Sequence, residues 1–447
     1  MTQVLALDIG TSSVRAARFD ASAAEGAEPA KRRYVGETDP DRIVAAASKV
    51  IDRAGGAEGV DAVGGSCFGH SLLPLDGGGR PLTPILGWRD TRSADAADWL
   101  ARRLDPAAIH ARTGCHIHTS YWPAKLAWLA KEQPETFRAA RRFVSFCDYA
   151  YGHLLGRNVP SSLSIASATG LLDLRTKTWD EELLQTLGVE AEQLPEISDD
   201  AVEGWFPAAL DGACSNLGAG CVTRDRAALM IGTSGAFRTV YESEQPQPRS
   251  GLFVHWLDER RVVEGGSLSD GGSLYSWLGQ TFRDPDGSLA GRDPDSHGLT
   301  FLALLGGERS PGWHQHAKGA IEGLTFETTP LDLRQAALEG LGFRFAEIAD
   351  LMPEVEEVVA TGGALLNDRD WLQIIADTLG RPLIRSGVEE ASLRGAAVSA
   401  LERLGESPAP APLGDVVEPR AEHAAAYRAA RERQRRLYEA ATSAPTS

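Results

Sequence analysis

Cysteine is scarce in this chain of 447 residues: there are five, no two are spaced as Cys-x-x-Cys, and the total is odd. Structural zinc sites and disulfide frameworks need clustered or paired cysteines, so neither is expected. A chain that does without disulfides suits a reducing compartment. We therefore expect a cytoplasmic protein.

Long apolar runs and excess positive charge are also lacking. No stretch reaches the roughly 18 apolar residues of a membrane span, and the chain start up to Asp8 lacks the basic and apolar regions of a secretory signal. Lys and Arg number 45 against 62 Asp and Glu, a formal net charge of −17 that would repel phosphodiester backbones. We expect neither a membrane nor a nucleic acid as partner.

The composition is that of a globular protein, with 43% hydrophobic and 24% charged residues. The length suffices for about two or three domains and a cleft between them. The domain boundary is expected near Cys221, which divides the chain into domains 1–221 and 222–447.

One pattern occurs twice, about half a chain apart. An apolar strand, the turn Gly10-Thr11-Ser12-Ser13 and a second strand open the chain, and the same order surrounds Gly232-Thr233-Ser234-Gly235. Such a repeat predicts two α/β domains of related architecture, each containing a hairpin.

Hydrophobic periodicity and turn residues predict further elements along the chain. In order, these are a helix over 41–54 capped by Asp39, a strand over 61–68, helical structure over 124–155 broken at Pro134, a helix over 331–351, a strand over 355–360, a helix over 368–379, a linker over 407–412 and a helix over 418–441 that packs on the second domain.

The Gly-Thr-Ser turns can bind phosphate. Glycine lets a ligand approach the backbone N–H groups, and the hydroxyls lie on the same tip. One such turn is ordinary hairpin chemistry. Two of them facing each other across a cleft could hold a polyphosphate, with Gly363 and Asn367 of a third glycine turn against a nucleoside. The combination favours nucleotide binding.

Six ordered motifs resemble those of the FGGY carbohydrate kinases over essentially the whole chain. They are DIGTSS at 8–13, GWRDTR at 87–92, DGA at 211–213, GTSG at 232–235, GERSP at 307–311 and TGGA at 361–364. Within that family, residues 115–126, 205–221 and 301–311 most resemble gluconokinases. The resemblance implies two ribonuclease-H-like domains of the actin and heat-shock chaperone superfamily. A cleft between them would hold ATP and Mg²⁺ for transfer of a phosphoryl group to a sugar hydroxyl.

The resemblance also implies roles for two aspartates. Asp211 is expected to be the general base that takes the proton of the acceptor hydroxyl. The competing interpretation is an N-cap, because a helix of small residues follows it. Asp8 is expected to hold Mg²⁺ through water, since this ion prefers oxygen ligands and keeps most of its own waters. The competing interpretation of Asp8 is a residue that starts a turn.

The remaining candidates fall into two groups. The nucleotide-binding residues implied are Gly10, Thr11, Ser12, Ser13, Arg15, Gly232, Thr233, Ser234, Gly272, Gly362, Gly363, Ala364 and Asn367. The acceptor-binding candidates are His70, Trp88, Asp90, Arg92 and Lys125, which supply hydrogen-bonding groups and an apolar indole face for a sugar. A core tryptophan and an Asp–Arg surface pair are the alternatives for Trp88 and Asp90.

Charge near the acceptor has further candidates. His116 and His118, with Lys125, could neutralise a substrate carboxylate. Glu308 and Arg309 are read as an internal ion pair or as a ligand contact.

The chain also departs from the family pattern. Leu210 stands where glycine is common before the catalytic aspartate, and the connections before Arg42 and before Trp205 are short. These departures concern efficiency and acceptor choice more than the fold.

We expect an ATP-dependent kinase for a sugar or sugar acid, with a gluconate-like acceptor favoured. Another polyol or ketopentose, such as glycerol or xylulose, is the nearest alternative. An actin-like or chaperone-like nucleotide switch without an acceptor, or a sugar sensor that has lost catalysis, are the alternatives from other classes. A homodimer stays open as the assembly.

Overall fold

The structure, a computed structural model, describes residues 2–282 and 287–443. The first half contains β1 (Gln3–Ile9), β2 (Ser13–Asp20), β3 (Ala30–Arg33), α1 (Pro40–Arg53), β4 (Ala62–Cys67), β5 (Leu73–Leu75), α2 (Ala94–Ala101), α3 (Pro106–Thr113), α4 (Trp122–Glu132), α5 (Pro134–Ala139), β6 (Arg142–Val144), α6 (Phe146–Leu155), α7 (Leu163–Ser167), β7 (Leu172–Asp173), β8 (Thr178–Trp179), α8 (Glu181–Leu187), β9 (Ala209–Leu210) and α9 (Asp211–Gly218).

The second half contains β10 (Arg226–Ile231), β11 (Gly235–Glu242), β12 (Phe253–Trp256), β13 (Arg261–Leu268), α10 (Gly272–Thr281), β14 (Thr300–Leu302), β15 (Ala320–Glu322), α11 (Pro330–Asp350), β16 (Glu357–Thr361), α12 (Gly363–Leu366), α13 (Arg369–Leu379), β17 (Leu383–Ser386), α14 (Ala391–Arg403), β18 (Leu413–Val417) and α15 (Ala424–Thr442). Short 3₁₀ turns lie at Ala191–Gln193 and Ala421–His423.

The first sheet has the strand order β3-β2-β1-β4-β9. β1 and β2 form the predicted antiparallel hairpin, and β4 runs parallel to both β1 and β9. Helices cover both faces: Leu5 and Leu7 pack in one core cluster with residues of α1, and Val4 and Ala6 pack in another with residues of α14. Burial on both faces explains why β1 is apolar without alternation.

The second sheet repeats this arrangement in the order β12-β13-β11-β10-β16-β17-β18. β10 and β11 are antiparallel, whereas β10, β16 and β17 run parallel. The strands β11-β10-β16-β17 thus correspond to β2-β1-β4-β9 of the first sheet. The predicted pair of related α/β hairpin domains is confirmed.

Helices α9 and α14 connect the two halves of the molecule. α14 follows the second sheet in sequence but packs against α9, β1 and β4 of the first half. A β-carbon on Gly218 of α9 would lie 1.9 Å from the carbonyl oxygen of Ala391. The small residues after Asp211 therefore allow close backbone packing between α9 and α14.

Two predicted elements differ from the structure. The helical stretch 124–155 is interrupted by β6, which pairs with β5. The last helix begins at Ala424 rather than at position 418, and the preceding segment contains β18, an exposed edge strand paired with β17. Both strands depend on a partner strand, so local sequence did not indicate them.

The other predicted elements agree with the structure. Asp39 caps α1 by accepting from the backbone N–H groups of Asp41 and Arg42. The side chain of Gln434 in α15 donates to the carbonyl oxygens of Phe301 and Gly340, so this helix packs on the second domain as expected. No helix of the described residues is long and apolar enough to span a bilayer.

The sheets determine where a ligand can bind. In α/β sheets, ligands bind beyond the carboxyl ends of the parallel strands. Asp8 lies near that end of β1, and His70 and Asp211 follow β4 and β9. Gly232 and Gly362 follow β10 and β16 of the second sheet.

Candidate active site

Asp211 is the first residue of α9, and its side chain does not cap that helix. Leu210 occupies the N-cap position, so the N-cap interpretation is wrong. One carboxylate oxygen of Asp211 accepts a hydrogen bond of 2.7 Å from the backbone N–H of Gly212. Within the described part of the chain, the other oxygen has no hydrogen-bond partner and is free for a ligand.

Burial sets the acidity of this aspartate. It raises the pKa of Asp211 to about 6, while the positive charge of Arg238 lowers it and the negative charge of Asp8 raises it. A general base works best when its pKa lies near the working pH. The carboxylate of Asp211 is therefore mostly ionised at neutral pH and still able to accept a proton.

Asp211 lines a small cavity of about 80 Å³ that is formed by both halves of the chain. The first half contributes Phe68, Gly69, His70, Trp88, Leu210 and Asp211, and the second contributes Met230, Ser234, Gly235, Ala236, Arg238, Phe253, His255, Ser267 and Arg309. The cavity thus brings together four residues predicted from the sequence, at positions 70, 88, 211 and 234.

His70 presents a neutral imidazole to this cavity. Its Nδ1 lies 2.6 Å from the carbonyl oxygen of Ala168, which can only accept, so Nδ1 carries the proton and Nε2 is left as an acceptor. Burial lowers the pKa of His70 well below its ordinary value. The neutral Nε2 can therefore accept a hydrogen bond from a sugar hydroxyl.

The glycine turns of the second half all contact the segment from Ile231 to Thr233. The backbone N–H of Gly272 donates to the carbonyl oxygen of Gly232 at 2.8 Å, and that of Ser273 donates to Thr233 at 3.1 Å. Gly362 has a φ of +88°, and a β-carbon there would lie 2.4 Å from the carbonyl oxygen of Ile231. Only glycine allows this close approach without strain.

The third glycine turn, predicted at 361–364, is in part the start of a helix. Helix α12 begins at Gly363, directly after Gly362. Ala364 is packed near Gly272, since a β-carbon on that glycine would lie 3.1 Å from the Ala364 methyl group. Gly363 and Asn367 are exposed on the same short helix and its end. The predicted nucleotide-binding residues of the second half thus form one surface.

Comparison with known proteins gives the family. Residues 3–202 match the model of the FGGY family of carbohydrate kinases, N-terminal domain, and residues 227–402 match the corresponding C-terminal domain. The chain belongs to this family. The kinase is thus an enzyme that uses ATP to phosphorylate a small-molecule sugar, and the expected family and two-domain fold are confirmed. The boundary placed after Cys221 lies between the two matches and stays a prediction.

Individual relatives differ in the acceptor that they are named for. The kinase is 27% identical to the gluconokinase of Bacillus subtilis (strain 168), over 90% of this chain and 88% of that protein. It is 32% identical to the glycerol kinase of Thermus brockianus, over 89% of each chain. The crystal structures of a gluconate kinase and a xylulose kinase from Lactobacillus acidophilus each have a TM-score of 0.86, 26% identity and 98% coverage of both chains. Similarity alone therefore does not select the acceptor.

Asp8 and Arg15 of this kinase form an ion pair in the first hairpin. Arg15 donates to one carboxylate oxygen of Asp8 and Ser66 to the other, each at 2.7 Å, and Arg15 also pairs with Glu390 at 2.7 Å. Burial raises the pKa of Asp8, although Arg15 opposes this shift. The carboxylate of Asp8 is thus held in place, and its negative charge raises the pKa of Asp211. Carboxylate oxygens are the ligands that Mg²⁺ prefers, so the chemistry of Asp8 fits a hydrated divalent cation.

The first Gly-Thr-Ser turn is closed by the N–H of Gly10, which donates to the carbonyl oxygen of Ser13 at 2.9 Å. The backbone N–H groups of Thr11 and Ser12 have no partner among residues 2–282 and 287–443. They are therefore available to a ligand. This turn does not line the cavity of Asp211, and its position opposite the second turn stays a prediction.

Three acceptor candidates do not line the cavity. Asp90 and Arg92 pair with each other at 2.5 Å, and Arg92 also lies over the ring of Trp128. Lys125 is 2% exposed and donates to the carbonyl oxygens of His70 and Ser120. It therefore holds the backbone of His70, and a direct contact of these three residues with the acceptor stays a prediction.

His116 and His118 do not provide the positive charge that the sequence suggested. Burial lowers the pKa of each to about 3, so both are neutral at physiological pH. Neither lines the cavity of Asp211.

Two cations line the cavity: Arg309, for which an ion pair or a ligand contact was expected, and Arg238, which was not predicted from the sequence. Glu308 forms its buried ion pair with Arg344 rather than with Arg309, so the proposed Glu308–Arg309 pair is wrong. Arg309 instead points toward Trp88, with its guanidinium carbon 5.1 Å from the ring centre. Arg238 lies in β11 among apolar neighbours, and a charged residue within a buried strand was the signal available.

Proposed function

We propose that this kinase transfers the terminal phosphoryl group of ATP to a hydroxyl of a gluconate-like sugar acid, with Asp211 as general base. One observation carries the proposal: the carboxylate of Asp211, with a pKa of about 6, shares a small cavity with Ser234 of the second Gly-Thr-Ser turn. A base and a phosphate-binding turn are thus within one small volume.

The chemistry follows from this geometry. The acceptor hydroxyl donates its hydrogen bond to the free oxygen of Asp211, and the carboxylate takes the proton as the phosphoryl group arrives. The N–H of Gly212 holds the other oxygen and fixes the direction of the carboxylate. The acceptor nitrogen of His70 and the indole of Trp88 orient the sugar.

The phosphate groups of ATP bind at the turns Gly10–Ser13 and Gly232–Ser234 in this proposal, with Gly272 and Gly362–Ala364 supporting the second turn. Arg15 steadies the same phosphates from the first hairpin. Asn367 and Gly363 lie beside the nucleoside. Closure of the two domains would exclude water and limit ATP hydrolysis.

Asp8 would hold Mg²⁺ through water beside these phosphates. When bound, the ion supplies positive charge that neutralises the phosphate oxygens. Asp8 is suited to this because Ser66 and Arg15 fix both of its oxygens.

We also propose that the reaction takes place in the cytoplasm. All five cysteines are buried and none forms a disulfide, as expected in a reducing compartment.

A panel of acceptors tests the proposed reaction. Release of ADP is measured with gluconate, xylulose and glycerol, and without acceptor as the control. We expect gluconate to give the highest kcat/KM and the control to give little ADP. Highest kcat/KM with xylulose or glycerol would reject the sugar acid. ADP release independent of any acceptor would instead indicate a nucleotide switch, and no release at all would indicate a sensor.

A further inference from the structure

Two guanidinium groups in the cavity lack an anionic partner. Arg238 and Arg309 are each 6% exposed, and neither forms an ion pair within the described part of the chain. Nε and Nη2 of Arg238 and Nε of Arg309 are buried without a hydrogen-bond partner. Buried N–H groups of a cation are rarely left unpaired in a folded protein, because desolvation then goes uncompensated.

The two cations also disfavour each other. Burial lowers the pKa of Arg238 to about 10; the charge of Asp211 opposes this shift and the charge of Arg309 adds to it. The neighbouring His255 is neutral, since burial lowers its pKa to about 3, and His70 is neutral for the same reason. The carboxylate of Asp211 is therefore outnumbered by two positive charges, in a protein whose net charge is −17.

We propose that Arg238 and Arg309 bind the carboxylate of the acceptor and thereby select a sugar acid over a neutral sugar. This inference rests on the proposed function. An anion between the two guanidinium groups would satisfy their free N–H groups and remove their mutual repulsion. A neutral sugar would leave both cations unpaired, and that penalty provides the selectivity.

The phosphate of ATP is the competing anion. The surroundings of Arg309 favour the acceptor instead, because this side chain lies beside Trp88 and the Tyr121 hydroxyl, which belong to the half of the chain that supplies Asp211. The second phosphate-binding turn contributes Ser234 and Gly235 to this cavity but neither Gly232 nor Thr233, whereas the acceptor candidates His70 and Trp88 both line it.

A matched pair of ligands tests the inference without catalysis. Gluconate and glucitol have the same carbon chain and differ in the carboxylate, so calorimetric titration in the absence of ATP isolates its contribution. We expect the wild-type protein to bind gluconate about a hundredfold more tightly than glucitol, the range expected for charged hydrogen bonds. Arg309→Gln and Arg238→Gln should lose most of this preference and bind glucitol as the wild type does.

Arg260→Gln is the matched control, since Arg260 is exposed, pairs with Glu242 and does not line the cavity. It should keep the full preference. Arg309→Lys and Arg238→Lys preserve the charge without the planar fork, and each should restore part of the preference. If the Gln variants fail to fold by circular dichroism, the Lys variants serve in their place and should show a reduced preference.

Three results would overturn the inference. One is equal binding of gluconate and glucitol by the wild type. Another is an unchanged preference in the arginine variants. The third is a raised KM for ATP in these variants with unaltered gluconate binding, which would assign the arginines to phosphate. Failure of the proposed function would give another pattern of results. The wild type would still bind gluconate more tightly than glucitol, but it would phosphorylate another acceptor.

Discussion

Arg238 and Gly212 are in contact so close that any side chain at position 212 would have to displace the guanidinium of Arg238. A β-carbon on Gly212 would lie 2.1 Å from Nη1 of Arg238. Gly212 belongs to helix α9 of the first half and Arg238 to strand β11 of the second. The missing side chain allows a cation from one domain to lie beside the base that the other domain supplies.

Gly212→Ala should therefore impair the reaction while leaving the fold intact. The added methyl group has to displace the guanidinium of Arg238, and overpacking of this kind costs about 1–3 kcal/mol. Misplacement by about 1 Å can reduce turnover by up to about a hundredfold. Steady-state kinetics and a thermal melt check both effects. Unchanged kcat/KM would show that the contact is irrelevant to function.

The pH dependence of the reaction should report the protonation of Asp211. Burial raises its pKa to about 6, so the ionised base is lost as the pH falls through this value. We expect kcat/KM to be constant above the pKa and to fall about tenfold per pH unit below it. The pH–rate profile with a saturating concentration of ATP measures this limb. A flat profile between pH 5 and 7 would contradict the assignment.

The acidic limb should also respond to Arg238. The positive charge of Arg238 lowers the pKa of Asp211, so its removal in Arg238→Gln raises that pKa. The limb should then move to higher pH, and Arg260→Gln should leave it in place. A limb that stays fixed in Arg238→Gln would mean that the two groups do not interact.

Helix α10 offers two glycines for a matched comparison. A β-carbon on Gly272 would lie 2.5 Å from the carbonyl oxygen of Gly232, whereas one on Gly279 would meet nothing within 4 Å. Gly279→Ala should stabilise the protein by about 0.5–1 kcal/mol through helix propensity. Gly272→Ala should destabilise it by about 1–3 kcal/mol and raise the KM for ATP. Denaturant melts and ATP titrations compare the two, and equal effects would argue against a phosphate-binding role for the turn.

The hairpins could be predicted because their signals are local. An apolar run, a Gly-Thr-Ser turn and a second run determine β1–β2 and β10–β11 wherever the rest of the chain lies. The cap at Asp39 is likewise a matter of a few neighbouring residues. In contrast, β6 and β18 are stabilised by distant partner strands, so their own residues gave no indication of them.

The candidate site shows the same division. His70 and Ser234 follow predicted strands, at the edge of a sheet where ligands bind, whereas Asp211 was indicated by its motif alone and not by a predicted strand. Arg309 depends on a contact that no local pattern encodes: Arg344, on α11, pairs with Glu308 and leaves Arg309 to the cavity.

Asp211→Asn tests the account most directly. The amide oxygen of asparagine can still accept the N–H of Gly212, and no helix cap is lost, so the melting temperature should hardly change. Without a carboxylate to take the proton, turnover with gluconate should fall at least about a hundredfold. Asp105→Asn is the control, because Asp105 caps α3 and asparagine caps equally well.

The decisive measurement is kcat of purified Asp211→Asn with ATP and gluconate, beside its thermal melt. The account predicts a folded protein with turnover reduced at least about a hundredfold, while Asp105→Asn remains as active as the wild type. A folded Asp211→Asn protein with near-normal turnover would contradict the role of Asp211 as the base.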